Sequence, residues 1–471
     1  MHELTPKIDV RIRRDRGRTG ANISHVLPSP DICERALAAR DARFDGVFYV
    51  GITSTGIYCR PVCPSRLAAS DHRRFFASAA SAEHAGFRPC LRCRPELAPG
   101  RGQMEALPRL AAAAAERIAA GALNGRGVAE LASDLGVSER HLRRAVERAI
   151  GVSPISLAQT HRLLLAKQLL VDTSLPVTQV AFASGFQSLR RFNSVFRERY
   201  RLSPTDIRRT RNVDVPAPRP SDLIRLTLGY RAPLAWDALI AVIGRNLLPG
   251  VETIVQGRYA RTVRMGDRTG LVFVSDGGVD KAHVNVDVST SLLPSLMPLL
   301  ARIRRLFDLD AEPNIVDAHL AQGGLAELVA RRPGLRVPGA FDGFEVALAI
   351  VLRAIPEDQA RQVVASLGEP CATDIPGLTC VAPCVVRAAR ATGAVGALAR
   401  AVLDGTLRLE PGADAAEARR ALMTIPGLDD RLATTIVMRA LHWPDAFPAA
   451  DRARGEPWRP WRAYAALHLW S

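Results

Sequence analysis

Apolar and polar positions alternate with helical spacing in two similar blocks. Gly127-Val-Ala-Glu-Leu-Ala-Ser-Asp-Leu-Gly136-Val-Ser138 has the pattern of an apolar-faced helix, a glycine turn and a serine N-cap. The next helix, Glu139 to Arg148, carries Leu142, Ala145 and Val146 on one face and basic groups on the other. The arrangement recurs about 49 residues later as Val177-Thr-Gln-Val-Ala-Phe-Ala-Ser-Gly185-Phe-Gln-Ser188 followed by Leu189 to Tyr200, with a helical stretch near Ile155–Val171 between the two. Period-2 alternation over Tyr259–Met265, Gly270–Val274 and His283–Val288 predicts antiparallel strands. From about residue 301 the period is helical again, and Leu422–Ala440 predicts helix, Pro-Gly hairpin, helix. Residues 1–30 have no hydrophobic period and predict a disordered basic tail, with Arg11–Arg18 at most a weak phosphate-binding arm. Val213–Ser221 is a proline-rich linker.

The 471 residues leave room for several domains. The longest apolar runs, such as Leu110–Ala115 and Ala347–Leu352, fall far short of the roughly 20 residues that span a bilayer, and the N-terminus is charged where a signal peptide is apolar. A cytoplasmic protein without a membrane partner is expected. The net charge of +16 is unevenly placed: +3 on residues 1–30, +3 on 31–100 and +9 on 101–211, against +1 (29 basic, 28 acidic) on the remaining 260. A polyanion partner for the first half accounts for that asymmetry, and a uniformly solvated surface does not.

Four of the eight cysteines form Cys59-x3-Cys63 and Cys90-x2-Cys93, each pair set among prolines that fix the backbone. Two such pairs in a chain without a secretory signal read as one tetrahedral Zn(II) site. Cys33, Cys371, Cys380 and Cys384 show no ligand spacing and read as packing residues. The stretch from Phe44 through Tyr58-Cys59-Arg-Pro-Val-Cys63-Pro-Ser-Arg66, with Ala85-Gly-Phe-Arg-Pro-Cys90-Leu-Arg-Cys93-Arg-Pro, resembles the N-terminal domain of Ada-type alkylation-response proteins. The resemblance implies that Cys59 takes a methyl group irreversibly from a methylphosphotriester in DNA, that Cys63, Cys90 and Cys93 complete the zinc site, and that Arg66 contacts DNA.

The doubled helix-turn-helix pattern, with Phe192, Phe196 and Leu202-Ser-Pro204, resembles the AraC/XylS-type DNA-binding domain. Arg140, His141, Arg143 and Arg144 on the first recognition helix, and Gln187, Arg190, Arg191 and Asn193 at the second, are the candidate DNA contacts. Base readout by any one of them is less expected than phosphate contact, because most protein–DNA hydrogen bonds go to phosphate and sugar.

The hairpin at Leu422–Ala440, with His442 to Asp451 and Pro457 to Trp470, resembles helix-hairpin-helix base-excision glycosylases of the AlkA type. The resemblance extends back through Arg304–Asp310, Arg332–Gly339 and Phe341–Glu345, and the strand-rich region matches that family's N-terminal sheet. It implies Asp451 as the catalytic carboxylate, Ile355 as the apolar wedge and Trp470 in the base pocket. The chain departs from the pattern in four places. Asp429 stands where the hairpin has its second glycine, Arg431 and Thr435 replace pocket aromatics, a Gly-Gln pair is missing before Ile355, and about a dozen residues are missing between Asp451 and Trp458. Pro383-Cys384-Val-Val-Arg lacks the histidine of an alkylguanine transferase site.

The expected architecture is multidomain α+β: a tail (1–30), a small zinc-bound domain (31–100), an all-α double helix-turn-helix domain (101–211), a linker (212–222), an antiparallel β-rich domain (223–300) and a helix-hairpin-helix α domain (301–471). The expected function is methyl transfer to Cys59, promoter binding and excision of alkylated bases of the 3-methyladenine type, with one Zn(II), double-stranded DNA as partner at damaged sites and promoters, and RNA polymerase as a further partner. Two alternatives stand beside it. One is a methylation-sensing activator whose glycosylase half has lost activity; the other is a constitutive zinc-stabilised regulator.

Overall fold

The computed structural model describes residues 27–100, 109–209, 223–278, 281–371, 373–449 and 453–470. The tail up to residue 26, the linker and Asp451 lie outside the described residues. The chain is a multidomain α+β protein, with a small cysteine-bearing domain, a helical region, an antiparallel sheet and a helical C-terminal part. No described helix is long and apolar enough to cross a membrane.

The cysteine-bearing domain is a four-stranded sheet in the order Arg73–Phe76, Tyr49–Ile52, Ile57–Cys59, Arg88–Pro89. Its first three strands pair antiparallel and the last pairs parallel. Gly51 lies under the rings of Phe76 and Phe87, each 2.8 Å from where a Cβ would stand, so a side chain there would hold the aromatic cover off the sheet. Helix Ala79–His84 is capped by Ser78, whose hydroxyl accepts from the Ser81 N–H.

The helical region follows the caps legible in the sequence. Helices Val128–Asp134 and Glu139–Ile150 are joined through Gly136 at φ +68°, and Val177–Ala183 and Leu189–Tyr200 through Gly185 at φ +89°. The Ser138 and Ser188 hydroxyls accept from His141 N–H and Arg191 N–H. Between the two units runs helix Pro154–Asp172, capped by Ser153. Its buried residues include Leu157, Leu163, Leu165, Ala166, Leu169 and Leu170, and also Thr160, Lys167 and Gln168, so that beyond the exposed Ile155 and the partly covered Gln159 and Arg162 its second half has no solvent face. A helix buried all round must be covered by neighbours.

The second half opens with a five-stranded antiparallel sheet in the order Leu223–Gly229, His283–Ser289, Arg268–Asp276, Arg258–Met265, Glu252–Val255. Two of these strands, Leu223–Gly229 and Glu252–Val255, and the helix Trp236–Gly244 add to the three stretches expected from alternation. From Leu296 onward the described residues are mainly helical, with one short antiparallel pair, Glu369–Pro370 with Cys380–Val381. Arg261 on the sheet is buried against Glu345 of helix Gly343–Leu352, with its guanidinium 3.7 Å from the Phe341 ring centroid, and so ties the sheet to the helical part.

The sequence predicted a tether between the halves, and the structure packs them together. Leu163, Phe192, Phe196 and Ile207 belong to the same buried cluster as Ile224, Leu226, Val286 and Leu296. Gln168 donates to the Thr227 carbonyl at 2.7 Å. The inward face of strand Leu223–Gly229 is covered by the linking helix, because burying both apolar faces together removes both from water.

Where the first domain meets that helix, the Glu83 carboxylate accepts from the Tyr58 hydroxyl at 3.1 Å and from the Thr160 hydroxyl at 2.8 Å. Burial pushes its carboxyl up to about 7. The folded protein therefore holds a proton on Glu83 between pH ~4.5 and ~7 that the unfolded chain has released, and stability falls as pH rises through that window. Urea unfolding at pH 5 and pH 8 should show wild type losing about 1–2 kcal/mol more than Glu83→Gln; equal losses would place the charge elsewhere.

Candidate metal centre and nucleic-acid interface

The cysteine cluster is assembled by strand pairing. Cys59 ends strand Ile57–Cys59, and the parallel register of Tyr58 with Pro89 sets Cys90 beside it, with Cys90 N–H donating to the Tyr58 carbonyl at 2.9 Å. A turn closed by Cys63 N–H on the Arg60 carbonyl brings Cys63 round. The ligand atoms of Cys59, Cys63, Cys90 and Cys93 all lie within 4.8 Å of one another, the one such cluster of potential metal ligands among the described residues. Thiolates held ~2.3 Å from one tetrahedral zinc stand roughly 3.8 Å apart, so the donor set and spacing fit one Zn(II). Hydrogen bonding with Cys63 drives the Cys59 thiol far up, and the same contact drives Cys63 far down. Sulfurs close enough to share protons in this way can lose them together to one divalent cation.

The four sulfurs are not equivalent. Cys63, Cys90 and Cys93 are buried at 5%, 7% and 7% exposure, whereas Cys59 is half-buried. Arg92 N–H donates to the Cys90 sulfur at 3.3 Å and Arg60 N–H to the Cys93 sulfur at 3.4 Å. Among the described residues no backbone N–H donates to Cys59. Hydrogen bonds stabilise a thiolate and blunt its nucleophilicity, so the accessible, undonated sulfur is the most reactive of the set.

Arg60, one residue after Cys59, was not singled out by the sequence. Its guanidinium donates to Asp45 at 2.8 Å and to the Cys93 carbonyl at 3.1 Å, stapling the first cysteine loop to the second. The sequence signal available was an arginine inside the first Cys-x3-Cys and an aspartate 15 positions earlier, which no local rule connects. Arg66 is exposed just beyond Cys63.

On the first recognition helix Arg140, His141 and Arg144 are exposed, while Leu142, Val146 and Ile150 are buried. Arg143 is partly covered and its guanidinium donates to Glu139 at 2.8 Å, which offsets its charge. At the second helix Gln187, Arg190 and Arg191 are exposed and Asn193 is half-buried. The Asn124 side chain lies against the Gly185 turn and accepts from Arg162 at 2.8 Å, so the loop before the first unit is packed on the second.

In the second half, helices Ala415–Leu422 and Asp430–Ala440 flank the hairpin, whose Gly427 has φ +83°. The Asp429 side chain accepts from Leu432 N–H at 2.7 Å and is the N-cap of the second helix. Thr435 donates its hydroxyl to the Arg431 carbonyl at 2.8 Å, and Arg431 is exposed. Ile355 is 37% exposed between helices Gly343–Leu352 and Glu357–Leu367, and Trp470 is 40% exposed at the end of the last helix. Arg245 donates to the Trp470 carbonyl at 3.3 Å, and its neighbour Asn246 accepts from Arg353, two residues before Ile355, at 3.1 Å. On either side of Asp451 the chain is anchored. Asp445 accepts from Arg462 at 2.7 Å, and Trp458 packs on Phe447 and donates to the Gly323 carbonyl at 2.9 Å.

Comparison with known proteins places each region. Residues 32–96 match the family described as metal binding domain of Ada, residues 131–210 a helix-turn-helix domain family, and residues 225–342 the AlkA N-terminal domain. A Mycobacterium tuberculosis protein named probable bifunctional transcriptional activator/DNA repair enzyme AlkA is 35% identical over 93% of this chain and 95% of its own length. The DNA-3-methyladenine glycosylase 2 of Escherichia coli is 31% identical over 52% of this chain and 96% of its own. The bifunctional transcriptional activator/DNA repair enzyme Ada of Escherichia coli is 35% identical over 27% of this chain and 35% of its own. Cysteine cluster, paired helix-turn-helix units and sheet-plus-hairpin half occur here in one chain that the mycobacterial relative matches over nearly its whole length, and the chain belongs to that family of bifunctional transcriptional activator and DNA repair proteins.

Proposed function

We propose that the protein repairs methylated DNA and reports the damage. It accepts a methyl group from a DNA methylphosphotriester on Cys59, binds promoter DNA through its two helix-turn-helix units, and excises alkylated bases of the 3-methyladenine kind with its second half. The observation that carries the reading is the cluster of four sulfurs in which Cys59 alone is both accessible and free of backbone donors. Zinc bound by Cys59, Cys63, Cys90 and Cys93 would keep Cys59 a thiolate at neutral pH.

The Cys59 sulfur attacks the methyl carbon of the phosphotriester. A C–S bond forms as the C–O bond breaks, and the electron pair leaves on oxygen as a phosphodiester anion. The product is a thioether with no route back, so each chain acts once. Four thiolates on Zn(II) carry a formal charge of −2, and methylating one leaves −1, which weakens repulsion from DNA phosphates. Arg60 and Asp45 hold the two cysteine loops in place during the attack.

Arg66, Arg140, His141, Arg144, Gln187, Arg190, Arg191 and Asn193 form the DNA-binding set, with Arg143 weakened by Glu139. In the glycosylase half Ile355 fills the gap left by a flipped base, Trp470 stacks on it, and the Asp451 carboxylate stabilises the oxocarbenium-like sugar as the cationic base leaves and water adds. RNA polymerase at the promoter and a cytoplasmic location complete the reading.

One observation favours the alternative, an activator whose glycosylase half is inactive. The Asp429 carboxylate occupies a hairpin helix N-terminus, a place that otherwise attracts phosphate.

Mass spectrometry after incubation with methylphosphotriester DNA should find one added methyl group, on Cys59, and none on Cys59→Ser. Methylated wild type should bind promoter DNA tighter, on the order of tenfold at low salt, and unmodified Cys59 after incubation would sink the reading. Release of methylated adenine from alkylated DNA should fall on the order of a hundredfold or more in Asp451→Asn; no release from wild type would establish the alternative. Arg140→Ala and Arg190→Ala should each lower the salt slope of promoter binding by about 1, and Arg143→Ala by clearly less.

A further inference from the structure

The fourth cysteine leads directly into a strap held by both other parts of the molecule. Arg94, the residue after Cys93, has φ +53°, a left-handed backbone that an arginine adopts only under constraint. It starts the segment Arg94–Gly100. On one side Arg94 pairs with Asp172 at 2.8 Å, at the end of the linking helix. Two residues on, Glu96 pairs with Lys167 of the same helix at 2.5 Å, both side chains 1% exposed. The same Lys167 ammonium donates to the carbonyl of the ligand Cys90 at 3.0 Å.

On the other side the strap touches the second half. The Leu97 carbonyl would stand 2.1 Å from a Cβ on Gly229, so strand Leu223–Gly229 is in contact with the strap's backbone. Gly100 N–H donates to the Asp310 carboxylate at 3.0 Å, and Asp310 also accepts from Arg304. Seven residues therefore join the cysteine cluster, the helix between the two DNA-reading units and the first strand of the glycosylase half.

We infer that residues 94–100 transmit the methylation state of Cys59 to the glycosylase half as well as to the DNA-reading helices. The inference deepens the function proposed above and rests on it. The physical link is Lys167. Its buried ammonium is shared between the Cys90 carbonyl, beside a cluster whose charge changes by one on methylation, and the Glu96 carboxylate on the strap. When the cluster becomes less negative, the ammonium is drawn toward Glu96, and the strap is pulled against Asp172, Gly229 and Asp310. With both partners of the Lys167–Glu96 pair buried in a close-packed interior, a shift at one end is passed on through direct contacts.

The test is amide hydrogen exchange on the full, zinc-loaded chain with and without a methyl group on Cys59. Iodomethane supplies the methyl, and Cys59→Ser treated in the same way is the blank. A failure of methylphosphotriester DNA to methylate Cys59 then counts against the proposed function, and the strap is still tested. In wild type, methylation should change exchange at least threefold in both Pro154–Asp172 and Leu223–Gly229. In Glu96→Gln/Lys167→Met the change should stop before residue 94. A wild-type change confined to residues 31–93 overturns the inference, and so does a folded double variant that still passes the change to Leu223–Gly229. The wild-type comparison decides even where the double variant does not fold.

Discussion

A helix without a polar face has to be enclosed, and Pro154–Asp172 is that helix. Parts of all three units are arranged as its cover. The cysteine domain supplies Glu83 and Glu96, the helix-turn-helix units close round the ends, and the first strand of the second half lies along it. The polar groups it buries are each paired across a domain boundary: Thr160 with Glu83, Lys167 with Glu96, and Gln168 with the Thr227 carbonyl. Removing one member of such a pair leaves an uncompensated buried group, at a cost of ~3–5 kcal/mol for a charge. Burial thus couples three units that could otherwise have been beads on a string.

The parts that were legible in the sequence are those whose cause is local. Cysteine spacing, serine caps and the two glycine turns act over a few residues, and the structure has them where the pattern put them. The long-range contacts were not legible. Lys167 meets Glu96 across 71 residues, and the chain contains only three lysines amid a large excess of arginine. A compact ammonium can sit between a carbonyl and a carboxylate where the wider guanidinium fork would need more room, which gives that lysine a reason that composition alone concealed. Glu252–Val255 escaped because four residues at a sheet edge carry too little alternation to register. The packing of the two halves was not legible for a related reason: proline content describes a connection, here one outside the described residues, while apolar area decides whether the connected units pack together.

The geometry around the four sulfurs sets one member of an equal-looking set apart from the others. Spacing alone makes Cys59, Cys63, Cys90 and Cys93 interchangeable. Donation from Arg60 and Arg92 amides onto Cys93 and Cys90, together with burial of Cys63, leaves Cys59 as the exception. Selectivity is therefore made by what surrounds the other three, and the Arg60 bridge from Asp45 to the Cys93 carbonyl keeps those surroundings fixed.

The hairpin of the second half poses the opposite case, in which a substitution serves the fold at the expense of an external ligand. Asp429 accepts from Leu432 N–H and so satisfies a helix terminus that would otherwise be open to an anion. Asp430, next to it, pairs with Arg419, so the hairpin presents two carboxylates at the end of a helix dipole that favours negative charge. A DNA phosphate approaching the same place meets an occupied donor and like charge. The hairpin is thereby stable without DNA, and any grip of the second half on a duplex falls to other groups. With only +1 net charge on residues 212–471 and +9 on 101–211, the electrostatic hold on DNA belongs to the helix-turn-helix region. Because the shared core packs that region on the sheet, the two parts meet directly where Gln168 donates to the Thr227 carbonyl, and the strap adds a second contact to the same half from the cysteine domain.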